Sequence, residues 1–240
     1  MAKKLIVVIV VVVLAVGAGL WWFVVRDDAP EELSVDGGSS STDAADGDTA
    51  TAPESLDGTW VVETGGDTTA GFRIEESFAG GLTDHTAVGR SDEVSGSFVV
   101  DGDSVSDGSF TVDLTALEFT DDPGLPVGNR VGAMEDRGLE TNQFPDATFK
   151  ITEPATFDGD PLSGDTVTAE VTGVLTLHGV TNPVTFTVEA KVDGDTVRVA
   201  TAEPVPVVLA DYGITPPTGG PIAEVSDEGS FEFLVVLTAA

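Results

Sequence analysis

The chain has 240 residues, of which 42 are acidic and 10 basic, giving a formal net charge of −32. That balance excludes nucleic acid as a partner, because phosphate backbones are gripped by lysine and arginine. There is no cysteine, so disulfides, thiolate nucleophiles, cysteine zinc sites and a cysteine-linked lipid anchor are excluded as well.

The first element is apolar. From Leu5 to Val25 the sequence LIVVIVVVVLAVGAGLWWFVV carries no charge, and only Gly17 and Gly19 interrupt its larger side chains. A helix of that length is about 30 Å long, the thickness of a hydrocarbon core. Lys3 and Lys4 precede it, Trp21 and Trp22 sit near its far end, and Arg26, Asp27 and Asp28 follow. This pattern predicts a single transmembrane anchor with a cytoplasmic N-terminus and an extracytoplasmic remainder. The rival is a signal peptide cleaved between Gly17 and Ala18, but cleavable apolar regions run to about 7–15 residues. The uncleaved anchor is the better reading.

Residues 26–55 hold nine acids, one base and almost no large apolar side chains. Such a segment buries too little surface to offset its chain entropy and is expected to be a disordered acidic linker. As a flexible coil it would place the following domain on the order of 30 Å from the membrane.

From Leu56 the periodicity becomes two. Val94, Phe98 and Val100 share one face of their segment, with Ser95 and Ser97 on the other. Phe110, Val112 and Leu114 alternate with Thr111, Asp113 and Thr115. Val167, Val171, Leu175 and Leu177 oppose Thr168, Glu170 and Thr172, and Val184, Phe186 and Val188 oppose Thr185, Thr187 and Glu189. Phe231, Phe233 and Val235 continue the pattern near the C-terminus. Alternation over many short runs predicts half-buried antiparallel strands. Asp101-Gly102, Asp107-Gly108, Asp158-Gly159 and Asp193-Gly194 supply residues that accept positive φ in hairpin turns. The result is an all-β domain over residues 56–240 with about eight strands, a sandwich or a barrel. One interruption, residues 121–143, is expected to hold a short helix near Val131 to Leu139 across one mouth.

Chemistry is scarce. His85 and His178 are the only histidines, and no HExxH, nucleophile elbow or phosphate loop occurs. An isolated turn histidine is more often structural than a ligand. No catalytic residue, metal site or cofactor is expected, and carboxylate pairs carry little information in so acidic a chain.

Four features are less generic: Thr176 to Val184, Gly128 to Thr141 with Phe144 to Phe149, Gly89-Arg90 ahead of Val94 to Phe98, and Asp211 to Ile214 with Phe231 to Phe233. Trp60-Val61-Val62-Glu63 opens the domain, and Gly96-Ser97-Phe98 forms a hairpin strand. Phe144-Pro145-Asp146-Ala147-Thr148-Phe149 lies in the middle, and Leu175-Thr176-Leu177-His178-Gly179-Val180-Thr181-Asn182-Pro183-Val184 follows it. In order and spacing these resemble the YceI-like family of polyisoprenoid-binding, lipocalin-like proteins, from about Leu56 to Leu237. The chain departs from that family's pattern at its first hairpin, Gly65 to Phe72, and in having fewer basic side chains around Arg130 and Arg137.

The resemblance implies an eight-stranded antiparallel lipocalin-like barrel with a short helix at one mouth. Eight strands leave room for one ligand. Phe98, Phe110, Leu114, Phe149, Phe186 and Phe233 would then line a cavity for a long isoprenoid-type lipid. Arg90, Arg130 and Arg137 are candidate contacts for its head group, although a structural ion pair is the commoner role of such arginines. The implied function is non-enzymatic carriage or sequestration of the lipid outside the cytoplasmic membrane. The alternative is a surface interaction or stress-related domain with a filled barrel and no lipid.

Overall fold

Strands form where apolar and polar residues alternate, and the burial along β9 follows the alternation closely. Val167, Ala169, Val171 and Leu175 are buried there, while Thr168, Glu170 and Thr172 are not. The computed structural model describes residues 29–37, 53–79, 82–124 and 126–240. The apolar run of residues 5–25 lies outside them. No helix among the described residues is long and apolar enough to cross a membrane.

The strands are, in chain order, β1 (Gly58–Val62), β2 (Thr69–Phe78), β3 (Leu82–Ser91), β4 (Val94–Asp101) and β5 (Ser104–Asp113). Next come β6 (Glu118–Phe119), β7 (Asp146–Ile151), β8 (Ala155–Asp158) and β9 (Val167–Leu177). The last four are β10 (Val180–Asp193), β11 (Thr196–Thr201), β12 (Val205–Val208) and β13 (Ile222–Ala239). Pairing runs β1-β4-β5-β7-β9-β10-β11-β13 and returns from β13 to β1. This is a closed, eight-stranded antiparallel barrel.

The remaining strands extend the same walls. β1 and β2 follow one another along one edge of β13, with Val62 opposite Leu237 and Thr69 opposite Leu234. The kink between them leaves a gap in the ladder, which the buried Thr68 hydroxyl fills by accepting from the Val236 N–H at 3.0 Å. β11 and β12 line the other edge of β13, and β7 and β8 both lie between β5 and β9. Long bent strands of this kind leave no free edge in the ring.

One end of the barrel is packed shut. Trp60, Leu56, Val62, Val100 and Leu237 belong to the main core, and the Trp60 indole donates to the Leu56 carbonyl at 2.8 Å. At the other end a short helix, α1 (Arg130–Ala133), is capped by the Asn129 side chain, which accepts from the Gly132 N–H. It continues as a π-turn, Met134–Gly138. Met134 packs with Leu114 and Leu117, so this element sits in the mouth, where the sequence placed a helix between Val131 and Leu139.

Part of the segment expected to be a disordered linker is held against the domain. Residues 29–37 lie along the outer wall of the barrel and are held there. Glu232 points outward from β13 and is only 1% exposed. It accepts from the Leu33 N–H at 3.2 Å and from Arg73 and Arg90 at 3.3 and 2.9 Å. The same two arginines donate to the carbonyls of Pro30 and Glu31, and Arg198 donates to that of Val35. Val35 packs on Leu234 and Ala200. The segment has few apolar side chains, but main-chain carbonyls facing arginines supply charge-assisted hydrogen bonds that composition does not reveal. An anchor of this size predicts that Val35→Asp frees the segment. Limited proteolysis should then cut between residues 29 and 37 in the variant but not in the parent, with the barrel itself intact.

Candidate functional site

The inward-facing residues of the ring do not fill it. They surround a cavity of about 290 Å³ that extends up to the helix at the mouth. Phe98, Phe110, Leu114, Phe149, Phe186 and Phe233 all face it. Phe186 meets Phe149 at 5.2 Å and Phe233 at 6.1 Å between centroids, and Phe98 meets Phe110 at 6.4 Å. The wall is almost wholly apolar, which is the environment that holds hydrocarbon and leaves no partner for a polar chain.

Charge enters at the mouth. Glu76 takes an inward position on β2, after Phe72 and Ile74, and Arg130 reaches in from α1. Arg130 donates to Asp121 at 2.6 Å and stands 4.0 Å above the Phe119 ring. Asp121 also accepts from the Val88 N–H and is hydrogen-bonded to His85 at 2.7 Å. Arg130 lies 3.3 Å from Glu76, an ion pair without hydrogen-bond alignment. Within this cluster Arg130 Nε makes no hydrogen bond in the protein, and Glu76 Oε2 has only the 3.3 Å ion pair.

The two carboxylates respond in opposite directions. Burial raises the pKa of Glu76, and Arg130 offsets this only in part. Burial also disfavours the charge on Asp121, but hydrogen bonds from Arg130, His85 and Val88 outweigh it and hold its pKa below the usual value. Outside the mouth, Glu76 borders an acidic groove with Glu75, Glu224, Asp227 and Glu228. Among the described residues no group of side chains could hold a metal ion.

A family model for the YceI-like domain matches residues 60–237. The chain belongs to the YceI-like family. Among solved structures, a polyisoprenoid binding domain from Saccharophagus degradans, implicated in plant cell wall breakdown, is 17% identical with a TM-score of 0.51. The match covers 76% of this chain and 98% of that one, and it is a likeness of fold. BcnA of Burkholderia cenocepacia is 19% identical over 70% of this chain and 95% of its own, with a TM-score of 0.45. A Campylobacter jejuni YCEI protein is 16% identical over 62% and 82%, with a TM-score of 0.46. No curated protein matches the sequence.

The YceI-like signature around His178 is structural here. His178 and Gly179 have φ of 51° and 73°, the two positive values that a tight hairpin turn between β9 and β10 requires. A side chain on Gly179 would also strike the Phe144 ring. His178 is hydrogen-bonded to the Tyr212 carbonyl at 3.1 Å and to Glu140 at 2.8 Å. It thereby ties the hairpin to the loops after α1 and β12. The two histidines serve separate carboxylates, His85 on Asp121 and His178 on Glu140, and form no common centre.

Of the three candidate head-group arginines, only Arg130 reaches the cavity. Arg90 follows Gly89, which faces inward against Phe72, so strand parity turns Arg90 outward to Glu232 and Glu31. Arg137 is exposed on the π-turn. Neither Arg90 nor Arg137 lines the cavity. Glu76 and Asp121 are not singled out by the sequence, and His85 is read from it only as a structural histidine. The available signal was Glu76 itself, an acid at an inward position on an otherwise apolar face.

Proposed function

We propose that this YceI-like domain binds an apolar, isoprenoid-type lipid inside its barrel and carries or sequesters it without catalysis. The observation that carries the reading is the hollow, phenylalanine-lined interior of about 290 Å³. A filled barrel acting only through its surface is disfavoured by the same observation. The volume lies at the lower end of the range for small-molecule pockets, roughly 300–1,000 Å³, and suits a short isoprenoid chain. The family match supports the ligand class, and so does the name of the Saccharophagus domain.

The apolar run at residues 5–25 supports a further part of the reading, that the barrel works while anchored outside the cytoplasmic membrane. A lipid carrier held at the bilayer meets its ligand without crossing water.

The test is native mass spectrometry on the full chain purified in mild detergent, before and after incubation with farnesol or geranylgeraniol. The expected result is a retained one-to-one adduct that survives gel filtration. A protein that stays at its bare mass under both conditions is no isoprenoid carrier.

A further inference from the structure

Residues 29–37 bind the outside of the barrel, and where they bind has a consequence for its placement. We propose that this strap fixes how the domain sits on the membrane: the wall of β2, β3 and β13 faces the lipid head groups, and the wall of β7 faces away. The anchored reading above is the premise; the addition is the face that meets the bilayer.

The strap crosses five strands. The Pro30 and Glu31 carbonyls accept from Arg73 of β2 and Arg90 of β3, and the Leu33 N–H donates to Glu232 of β13. Further along, the Val35 carbonyl accepts from Arg198 of β11, and Asp36 from Lys191 of β10 at 2.7 Å. Of the ten Lys and Arg in the chain, Lys3, Lys4 and Arg26 precede the described residues, and four of the other seven grip the strap. In so acidic a protein that is a strong concentration of cations on one wall. The grip is also sheltered: the Glu232 carboxylate is fully buried between its two arginines, and Val35 is 3% exposed. Salt screens buried pairs far less than exposed ones.

Chain length turns this grip into a position. From Val25, the end of the apolar run, to Pro30 the chain advances five residues, a reach of at most about 18 Å when fully extended. Eight strands spaced about 4.8 Å and tilted about 40° enclose a ring about 16 Å across, and side chains outside it widen the barrel to about 25 Å. β7 stands opposite β13 in that ring. With β7 against the bilayer, the whole barrel would separate Pro30 from the anchor, beyond the reach of the chain. A free tether of 30 residues would impose no such preference. The mouth is close to the point of attachment, because Arg73 and Glu76 are three residues apart on β2, about 10 Å along the strand.

The chain has no cysteine, so a donor dye can be placed at one chosen position. Glu75→Cys puts it on β2 beside the strap, and Lys150→Cys on β7; both parent residues are exposed. Each full-length protein is reconstituted into phosphatidylcholine vesicles containing a small fraction of phosphatidylethanolamine with an acceptor dye on its head group. Energy transfer should be stronger from Glu75→Cys than from Lys150→Cys. Adding Val35→Asp, which frees the strap, should abolish the difference. Melting curves on the same proteins confirm that the barrel is folded. Equal transfer from the two positions, or stronger transfer from Lys150→Cys, overturns the proposed orientation while the anchor stands. So does a difference that persists in a Val35→Asp protein whose strap is cut by added protease. If the full chain does not float with the vesicles, the anchored reading itself fails and the orientation falls with it.

Discussion

Asp121→Ala should destabilise the domain by about 3–5 kcal/mol, the usual cost of removing one partner from a buried ion pair. The Asp121 carboxylate is fully buried and meets three partners: Arg130, His85 and the Val88 N–H. Its loss leaves a buried guanidinium with only the poorly aligned Glu76 beside it. Glu76→Gln, a few ångströms away, should leave stability unchanged or raise it at neutral pH, because burial already works against the ionised Glu76. Urea unfolding of the two variants separates these outcomes. Equal losses would mean that the cluster behaves as one unit.

The pH dependence follows with opposite signs. Asp121 has a folded-state pKa below its ordinary 3.8. The stability it contributes is present above 3.8 and is lost as pH falls through the folded value. Glu76 has a folded-state pKa above its ordinary 4.5. Its ionisation opposes folding at neutral pH, and that opposition fades as pH falls through the raised value toward 4.5. The parent should therefore gain stability from Glu76 on mild acidification and lose it from Asp121 on further acidification. In Glu76→Gln the first limb should vanish and the second remain.

The barrel was legible because its physics is local. Parity along β4, β5, β9, β10 and β13 assigns the inward face residue by residue, and Asp101-Gly102 and Asp193-Gly194 mark where the chain reverses. Asp107-Gly108, by contrast, lies inside β5 at a bulge rather than in a turn. The helix in the mouth was legible as the one long break in that alternation. What parity cannot supply is which residues from different strands meet. Glu76 and His85 are opposite each other on β2 and β3, yet Asp121 and Arg130 join them only because β6 folds back beside β3 and α1 turns into the mouth. In a chain with 42 acids, no single carboxylate announces itself. Arg90 is misplaced by sequence for a narrower reason: composition does not fix the register of β3, and a shift of one residue exchanges the inside for the outside. Residues 29–37 failed because their binding runs through main-chain carbonyls, which every sequence possesses.

Filling the cavity should remove the ligand while leaving the fold standing. Leu114 faces the hollow interior and is 6% exposed. In a well-packed core, Leu114→Trp would be overpacked and would cost about 1–3 kcal/mol. Against an empty volume of about 290 Å³, the larger ring has somewhere to go and recovers contacts that the cavity wall otherwise lacks. The variant should melt at or above the parent's temperature and retain little or no isoprenoid. Phe186→Asp provides the contrast. Phe186 sits at the centre of the aromatic wall, against Phe149, Phe231 and Phe233. A carboxylate there has no cation nearby to pair with and costs several kcal/mol to bury. It should lose both lipid and stability. Loss of binding with a raised melting temperature in Leu114→Trp is the signature that a packed barrel cannot produce. A Leu114→Trp protein that melts early, from a parent that never held lipid, would return the interior to the role of an ordinary core.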